Sequence, residues 1–137
     1  MDSLLDTNVI SQRTKATPNE GVVRWLSRTP SSEMYLSVIS LAEIRFGIEE
    51  MDPGRKCQNL EYWLEQDIRQ GFAGRVLIVD ERIAEEAGRM TSTGKKVGAR
   101  PEFADALIAA TARVHGLQLV TLNRKHFEGL GVELVEL

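Results

Sequence analysis

The sequence predicts an α/β fold in which a mostly parallel sheet carries helices on both faces. Short apolar runs alternate with longer stretches at helical spacing, in the order β-α-α-β-α-α-β-α-α-β-α-β. The first run, Leu4-Leu5, ends abruptly in the polar triplet Asp6-Thr7-Asn8, as expected of a buried parallel strand that passes directly into a helix. Glycine- and proline-bearing breaks separate the later elements.

Length and composition predict one globular domain spanning residues 1–137, with 42% hydrophobic and 27% charged residues. The net charge of −3 excludes a global basic field, although a local basic patch is compatible with it. The single cysteine, Cys57, cannot form an internal disulfide and lacks the companions of a zinc site. With no secretory signal and no apolar stretch long enough to span a membrane, we expect a cytoplasmic protein.

Five strands are predicted, at residues 4–5, 34–38, 75–79, 117–121 and 132–135. Thr17 is the predicted cap of the helix that follows it, with Pro18 as its first residue. Ser40 and Glu43 have the spacing of a capping box. Asp80 is also predicted to cap a helix. Residues 94–100 form a basic, glycine-bearing loop before an apolar helix over residues 101–112.

Asp6 lies at the carboxyl end of the first predicted strand, the edge at which open α/β sheets bind their ligands. A carboxylate there can hold a metal or a reacting group. It can equally cap the next helix, as can Asn8. The stretch by itself leaves both interpretations open.

Asp105 lies in the first turns of a helix that is apolar on nearly every side. Burying a carboxylate is costly unless the group is paired, hydrogen-bonded or bound to metal. A salt bridge to a neighbouring arginine is the structural alternative. For Glu43 the alternative is the capping box, which needs no function.

The predicted topology brings these acids to one edge of the sheet. Strands end near Asp6 and Thr121, the helices that follow strands bring Glu43 and Asn123, and Asp105 approaches from its buried helix. Three converging carboxylates repel one another, and a hard cation with oxygen ligands relieves that repulsion. Mg²⁺ or Mn²⁺ fits better than zinc, because no Cys/His cluster is present. Such sites commonly hydrolyse phosphodiesters.

Four segments in this order resemble the PIN-domain ribonucleases, and more narrowly the VapC and FitB toxins: residues 5–10, 40–47, 105–112 and 119–123. The resemblance implies a three-layer α/β/α sandwich with a five-stranded, mostly parallel sheet. It also implies Mg²⁺- or Mn²⁺-dependent cleavage of RNA by the toxin of a type II toxin–antitoxin module. A homodimer and a small VapB-like antitoxin partner are implied in the same way.

Carried over by the resemblance, the metal-binding and catalytic carboxylates are Asp6, Glu43 and Asp105, and Thr7, Asn8 and Thr121 are supporting polar residues. The family usually has a fourth acid two or five residues after the threonine. Here these positions hold Asn123 and His126. Asn123 can ligate through its amide oxygen or a water but adds no charge, and His126 is interpreted as a surface residue.

Basic residues that border the predicted crevice are candidates for RNA binding, although scattered cations are commonly just solvated surface. They are Lys95, Lys96, Arg100 and Arg124, together with Arg13, Lys15 and Lys125. An antitoxin segment is predicted to lie against early-helix residues such as Trp25, Leu26 and Ile48, for which a place in the core is the alternative.

Two other functions are compatible with parts of the pattern. A haloacid-dehalogenase-type phosphatase also places a nucleophilic aspartate after its first strand, but needs a second acid where this chain has Asn8. A PIN-like binding module without catalysis is the other alternative, with Asn123 as the sign of a weakened site.

Overall fold

The computed structural model describes residues 1–137 and contains a four-stranded sheet in the order β3-β2-β1-β4. All neighbouring strands are parallel. β1 is central, and Leu4 lies opposite both Tyr35 of β2 and Leu119 of β4. The strands are β1 Ser3–Leu5, β2 Met34–Ser37, β3 Val76–Leu77 and β4 Gln118–Val120.

Helices surround the sheet in seven α-helical segments: α1 Thr7–Ile10, α2 Glu20–Arg28, α3 Val38–Glu49, α4 Arg55–Trp63, α5 Glu81–Lys96, α6 Phe103–Val114 and α7 Arg124–Phe127. A 3₁₀ turn, Ser11–Thr14, continues α1, and another covers Ser31–Glu33. A π-helical stretch, Leu64–Gln70, continues α4.

The core has two parts, one on each face of the sheet. Side chains alternate along a strand, so Leu5 packs with α1–α4 while Leu4 packs with α5 and α6. The neighbouring strand β4 repeats this alternation with Val120 and Leu119. The predicted three-layer arrangement of helix, sheet and helix is therefore confirmed.

The prediction of a fifth strand at residues 132–135 is wrong. Only one isolated parallel bridge forms there, between Leu119 and Leu134. The segment follows Gly129 and Gly131, both in the left-handed region with φ of +85° and +74°. The chain has just turned twice and runs beside β4 for a single bridge, too short to count as a strand.

Two predicted helix starts are also wrong. The cap of α2 is Asn19, whose side chain accepts from the Val22 N–H, rather than Thr17. The cap of α3 is Ser37, whose Oγ accepts from the Ile39 N–H, so Ser40 and Glu43 form no capping box. Asp80 does cap α5, through the Ile83 N–H. The predicted loop at 94–100 is helical as far as Lys96.

The residues predicted to contact an antitoxin pack in or against the hydrophobic core. Trp25 and Ile48 are 5% and 4% exposed and belong to the core, and half-buried Leu26 packs against them. These side chains contribute to the hydrophobic core, which was the alternative interpretation. None of the helices is both long enough and apolar enough to cross a bilayer.

Candidate active site

Asp6 links the central strand to the site. It follows β1 directly and is only 5% exposed. Its Oδ1 accepts a hydrogen bond from the Thr7 N–H at 2.8 Å, which caps α1, and its Oδ2 accepts from the Thr121 hydroxyl at 2.8 Å. The two interpretations of Asp6 are therefore compatible, since one oxygen caps the helix and both remain at the sheet edge.

Thr121, immediately after β4, orients the Asp6 carboxylate from the opposite side. Its Oγ1 accepts from the Asn123 N–H at 3.0 Å and from the Asn8 amide at 3.4 Å. Because two donors face the oxygen, its own proton points to Asp6. Asn8 is fixed in turn, as its Oδ1 accepts from the Leu122 N–H at 3.1 Å. The supporting residues thus form one network around a single carboxylate.

Glu43 approaches from α3 and is held by Thr7. The Thr7 hydroxyl lies 2.7 Å from Glu43 Oε1 and 2.9 Å from Ser40 Oγ. A hydroxyl has one proton to donate, and the carboxylate can only accept it, so Ser40 donates to Thr7 and Thr7 donates to Glu43. Ser40 is fully buried and belongs to the site network rather than to a helix cap.

Asp105 enters from α6 on the other side of the sheet edge. Its side chain is 17% exposed, and Oδ2 lies 3.4 Å from Nδ1 of His126, whose side chain is 58% exposed. The arginine salt bridge of the structural alternative is absent, because the only ion-pair contact of Asp105 is this imidazole. The predicted surface exposure of His126 is confirmed, and its contact with an acid is an addition.

Burial dominates the electrostatics of this site. It raises the pKa of Asp6, and the charge of Asp105 adds to that rise while hydrogen bonds from Thr121 and Thr7 oppose it. Burial likewise raises the pKa of Asp105; the charges of Glu102 and Glu43 reinforce the rise, and His126 opposes it.

No lysine or arginine pairs with Asp6, Glu43 or Asp105, although five arginines pair with glutamates elsewhere on the chain. The site therefore carries negative charge that the protein itself does not compensate.

The donor set fits a hard divalent cation. It consists of carboxylate oxygens with hydroxyl oxygens behind them, and it contains no thiol. The structure does not gather three acidic, imidazole or thiol groups into a ready-made cage. Mg²⁺ usually keeps several waters and takes only one or two protein carboxylates directly, so an incomplete cage is compatible with it.

The other predicted site residues differ in how freely their side chains can contact a metal or RNA. Asn123 is exposed at the start of α7, and its side chain makes no capping hydrogen bond. Arg124 is engaged with the segment that follows, through the Val135 carbonyl at 2.8 Å and Glu136 at 3.3 Å. Lys95, Lys96 and Arg100 are exposed, and Lys95 and Arg100 line one cavity with Phe103.

Ser40 was predicted to cap a helix but contacts Thr7 in the site, and the contact of His126 with Asp105 was not predicted. The Ser40 signal was misleading because S-x-x-E is also a capping pattern. His126 lies in α7 at one of the two positions where the family usually has its fourth acid, but it was interpreted as a surface residue.

Comparisons with known proteins identify the class. A family model described as PIN domain matches residues 3–131, and the chain belongs to this family. It is 42% identical over 124 residues to the toxin FitB of Neisseria gonorrhoeae, covering 90% of this chain and 89% of that protein. It is 35% identical over 132 residues to the VapC ribonuclease Y4jK of Sinorhizobium fredii, covering 96% and 94%.

Solved structures agree with this assignment. The crystal structure of FitAcB from Neisseria gonorrhoeae superposes with a TM-score of 0.91 at 40% identity, covering 98% of this chain and 96% of that one. DNA-bound VapBC from Salmonella typhimurium gives a TM-score of 0.74 at 25% identity, covering 98% and 97%. Among PIN domains, the chain is therefore similar to the FitB and VapC toxins.

Proposed function

We propose that this protein is a metal-dependent endoribonuclease and the toxin of a type II toxin–antitoxin pair. The observation that carries the proposal is the group of acids around Asp6, which is partly desolvated and has no lysine or arginine counter-ion. Names of relatives support the substrate class, since one is called VapC ribonuclease and another Ribonuclease VapC10.

In this proposal Asp6, Glu43 and Asp105 hold Mg²⁺ or Mn²⁺ directly or through water. When bound, the ion would lower the pKa of a water and stabilise the charge that builds on phosphate oxygens. Thr121 keeps Asp6 oriented, and the Ser40–Thr7 pair keeps Glu43 oriented. Supporting contacts of this kind are typically worth 10–100-fold in metal affinity or activity.

The partner in this proposal is a small VapB-like antitoxin. The toxin itself forms a homodimer, and each subunit consists of one domain spanning residues 1–137. Support comes from similar solved structures, one of which is titled a toxin–antitoxin complex from Klebsiella pneumoniae, with 25% identity and a TM-score of 0.70. Light scattering of the purified protein tests the dimer, and a monomer at high concentration would contradict it.

The test of the activity compares RNA with a phosphomonoester under a titration of Mg²⁺ or Mn²⁺, with thermal melting followed in parallel. We expect RNA cleavage that needs the metal, EDTA inhibition and a metal-dependent rise in melting temperature. Phosphomonoester turnover would instead support the phosphatase. That alternative is disfavoured because Asn8, where its acid would be, is engaged through both amide atoms.

Asn123 favours a second candidate, a PIN-like binding module with weakened catalysis. Here an exposed amide side chain that makes no capping hydrogen bond replaces the usual fourth acid. Metal stabilisation without any RNA cleavage would support this candidate over the nuclease.

Asn123→Asp tests how near this position lies to the proposed metal. An added carboxylate should lower the Mg²⁺ concentration for half-maximal cleavage by up to about tenfold, because ligand charge tunes affinity for hard cations. Without metal, the same change should slightly lower the melting temperature by like-charge repulsion. The control is Asn19→Asp at the start of α2, which makes no hydrogen bond with the acids or their supporting residues. An unchanged metal requirement would place Asn123 outside the site.

Replacing Lys95, Lys96 and Arg100 together by glutamine should weaken RNA binding and flatten its dependence on salt. Each lost phosphate contact reduces the log–log slope by about 0.7 for a single strand. Fluorescence anisotropy in EDTA over a range of salt measures this effect. An unchanged slope would remove this basic segment from the RNA footprint.

A further inference from the structure

We propose a second anion-binding subsite, in the cavity between the 3₁₀ turn Ser11–Thr14 and α4, that takes a backbone phosphate of the RNA. The inference rests on the proposed nuclease function and adds a place on the protein that guides its substrate. The cavity measures about 610 Å³, and its lining includes three cations, Arg13, Lys15 and Lys56.

The three cations are free to act on a ligand. Each is exposed, and none takes part in an ion pair of this chain. Five arginines of the chain are instead paired with glutamates: Arg45, for example, lies 2.7 Å from Glu61 and 3.5 Å from Glu49. In a protein with a net charge of −3, three uncompensated cations around one cavity form a local positive field.

Polar donors accompany these charges. Thr14, Asn59 and Trp63 also line the cavity. The indole N–H of Trp63 is the only buried side-chain polar atom in the protein without a hydrogen-bond partner. Thr14 and Asn59 are therefore the uncharged polar groups that line the cavity beside the three cations.

The walls of the cavity are connected to the acidic site. The 3₁₀ turn continues α1, which starts at Asp6 and Thr7, so Arg13 lies about 10–14 Å from Asp6 at roughly 1.5–2.0 Å per residue. The other wall, α4, is tied to α3 by the Arg45–Glu61 contact, and α3 carries Glu43. A strand cut at the acids can therefore reach the cavity with a neighbouring phosphate.

The chemistry favours a phosphodiester over an acidic peptide segment. The acids of the proposed active site repel RNA, whereas the three cations of the cavity attract its phosphates. A peptide partner of the helix-in-groove type needs a continuous apolar groove. Here the apolar lining is limited to Ala16, Leu60 and Trp63 among eight residues.

The test measures binding of a short fluorescein-labelled single-stranded RNA in EDTA, so that cleavage plays no part. Arg13, Lys15 and Lys56 are replaced together by glutamine. The control replaces Arg24, Arg28 and Arg55 by glutamine, which removes the same charge from exposed positions outside the cavity. Circular dichroism and melting establish that both triple variants fold.

We expect the cavity variant to bind RNA at least about tenfold more weakly and to lose about 0.7 from the log–log salt slope, as the loss of one phosphate contact implies. The control should keep the slope of the unmodified protein. Equal losses in both variants, or none in either, would overturn the proposal. Unchanged RNA binding with impaired binding of an antitoxin would also overturn it and assign the cavity to a protein partner.

The design separates this proposal from the nuclease itself. If the unmodified protein cuts RNA and the cavity variant binds it normally, the subsite fails while the nuclease stands. If the protein never cuts RNA but binds it through the cavity, the subsite stands and the proposed catalysis fails.

Discussion

Asp6→Asn and Asp105→Asn should each reduce metal-dependent RNA cleavage at least about 100-fold while the protein stays folded. Each change removes one negative charge from a group of acids that has no lysine or arginine partner, with almost no change in side-chain volume. Initial rates with a labelled RNA at saturating Mn²⁺ measure the loss, and melting curves establish folding.

The matched control for these variants is Asp80→Asn. Asp80 also precedes a helix and caps it, through the Ile83 N–H at 2.9 Å, but it contributes to no part of the acidic site. Asparagine is an equally good cap, so cleavage should stay at the rate of the unmodified protein. Wild-type rates in both Asp6→Asn and Asp105→Asn would make the assignment of the site wrong.

Thr121→Val should lower the free energy of unfolding by about 2 kcal/mol and reduce cleavage at the same time. Valine has nearly the same shape but leaves Asp6 Oδ2 without the hydroxyl that donates to it at 2.8 Å. Hydrogen bonds to charged groups contribute about 1.5–3 kcal/mol. Urea unfolding in EDTA measures the loss, and metal titration of activity measures the effect on the site.

Thr111→Val provides the comparison. Thr111 is also fully buried, but its hydroxyl donates to the Leu107 carbonyl of its own helix, a neutral acceptor at 2.7 Å. We expect a loss of about 1 kcal/mol or less, because that carbonyl is also available to the helix ladder. Activity should be unaffected. A loss as large as that of Thr121→Val would mean that burial, and not the contact with Asp6, sets the cost.

The layered fold could be predicted because its signals are local and periodic. Leu4-Leu5 followed by Asp6 indicates a buried strand ending at a sheet edge, and both its faces are covered as expected. Topology alone also predicts that Asp6, Glu43 and Asp105 approach one edge of the sheet, since parallel strands end together. The structure joins Glu43 to Thr7, the residue next to Asp6.

Other features depend on contacts between distant residues, which periodicity does not contain. Ser40 satisfies the spacing of a helix cap, and only its packing against Thr7 assigns it to the site. Residues 132–135 have the composition of a strand, but their single bridge to Leu119 is decided by two preceding glycine turns. The cavity at Arg13 and Lys56 joins residues separated by α2, β2 and α3, so no local motif marks it.

The central position of β1 has a consequence for synthesis of the protein. β1 pairs with β4, and Asp6 is oriented by Thr121, which lies 115 residues further along the chain. A nascent chain therefore contains Asp6 115 residues before Thr121, and it cannot complete the arrangement until Thr121 has left the ribosome. At about 5–20 residues per second this interval lasts on the order of ten seconds. The long-range parallel pairing adds folding time to that interval, so a cell has a period in which a partner can meet the chain before its site is assembled.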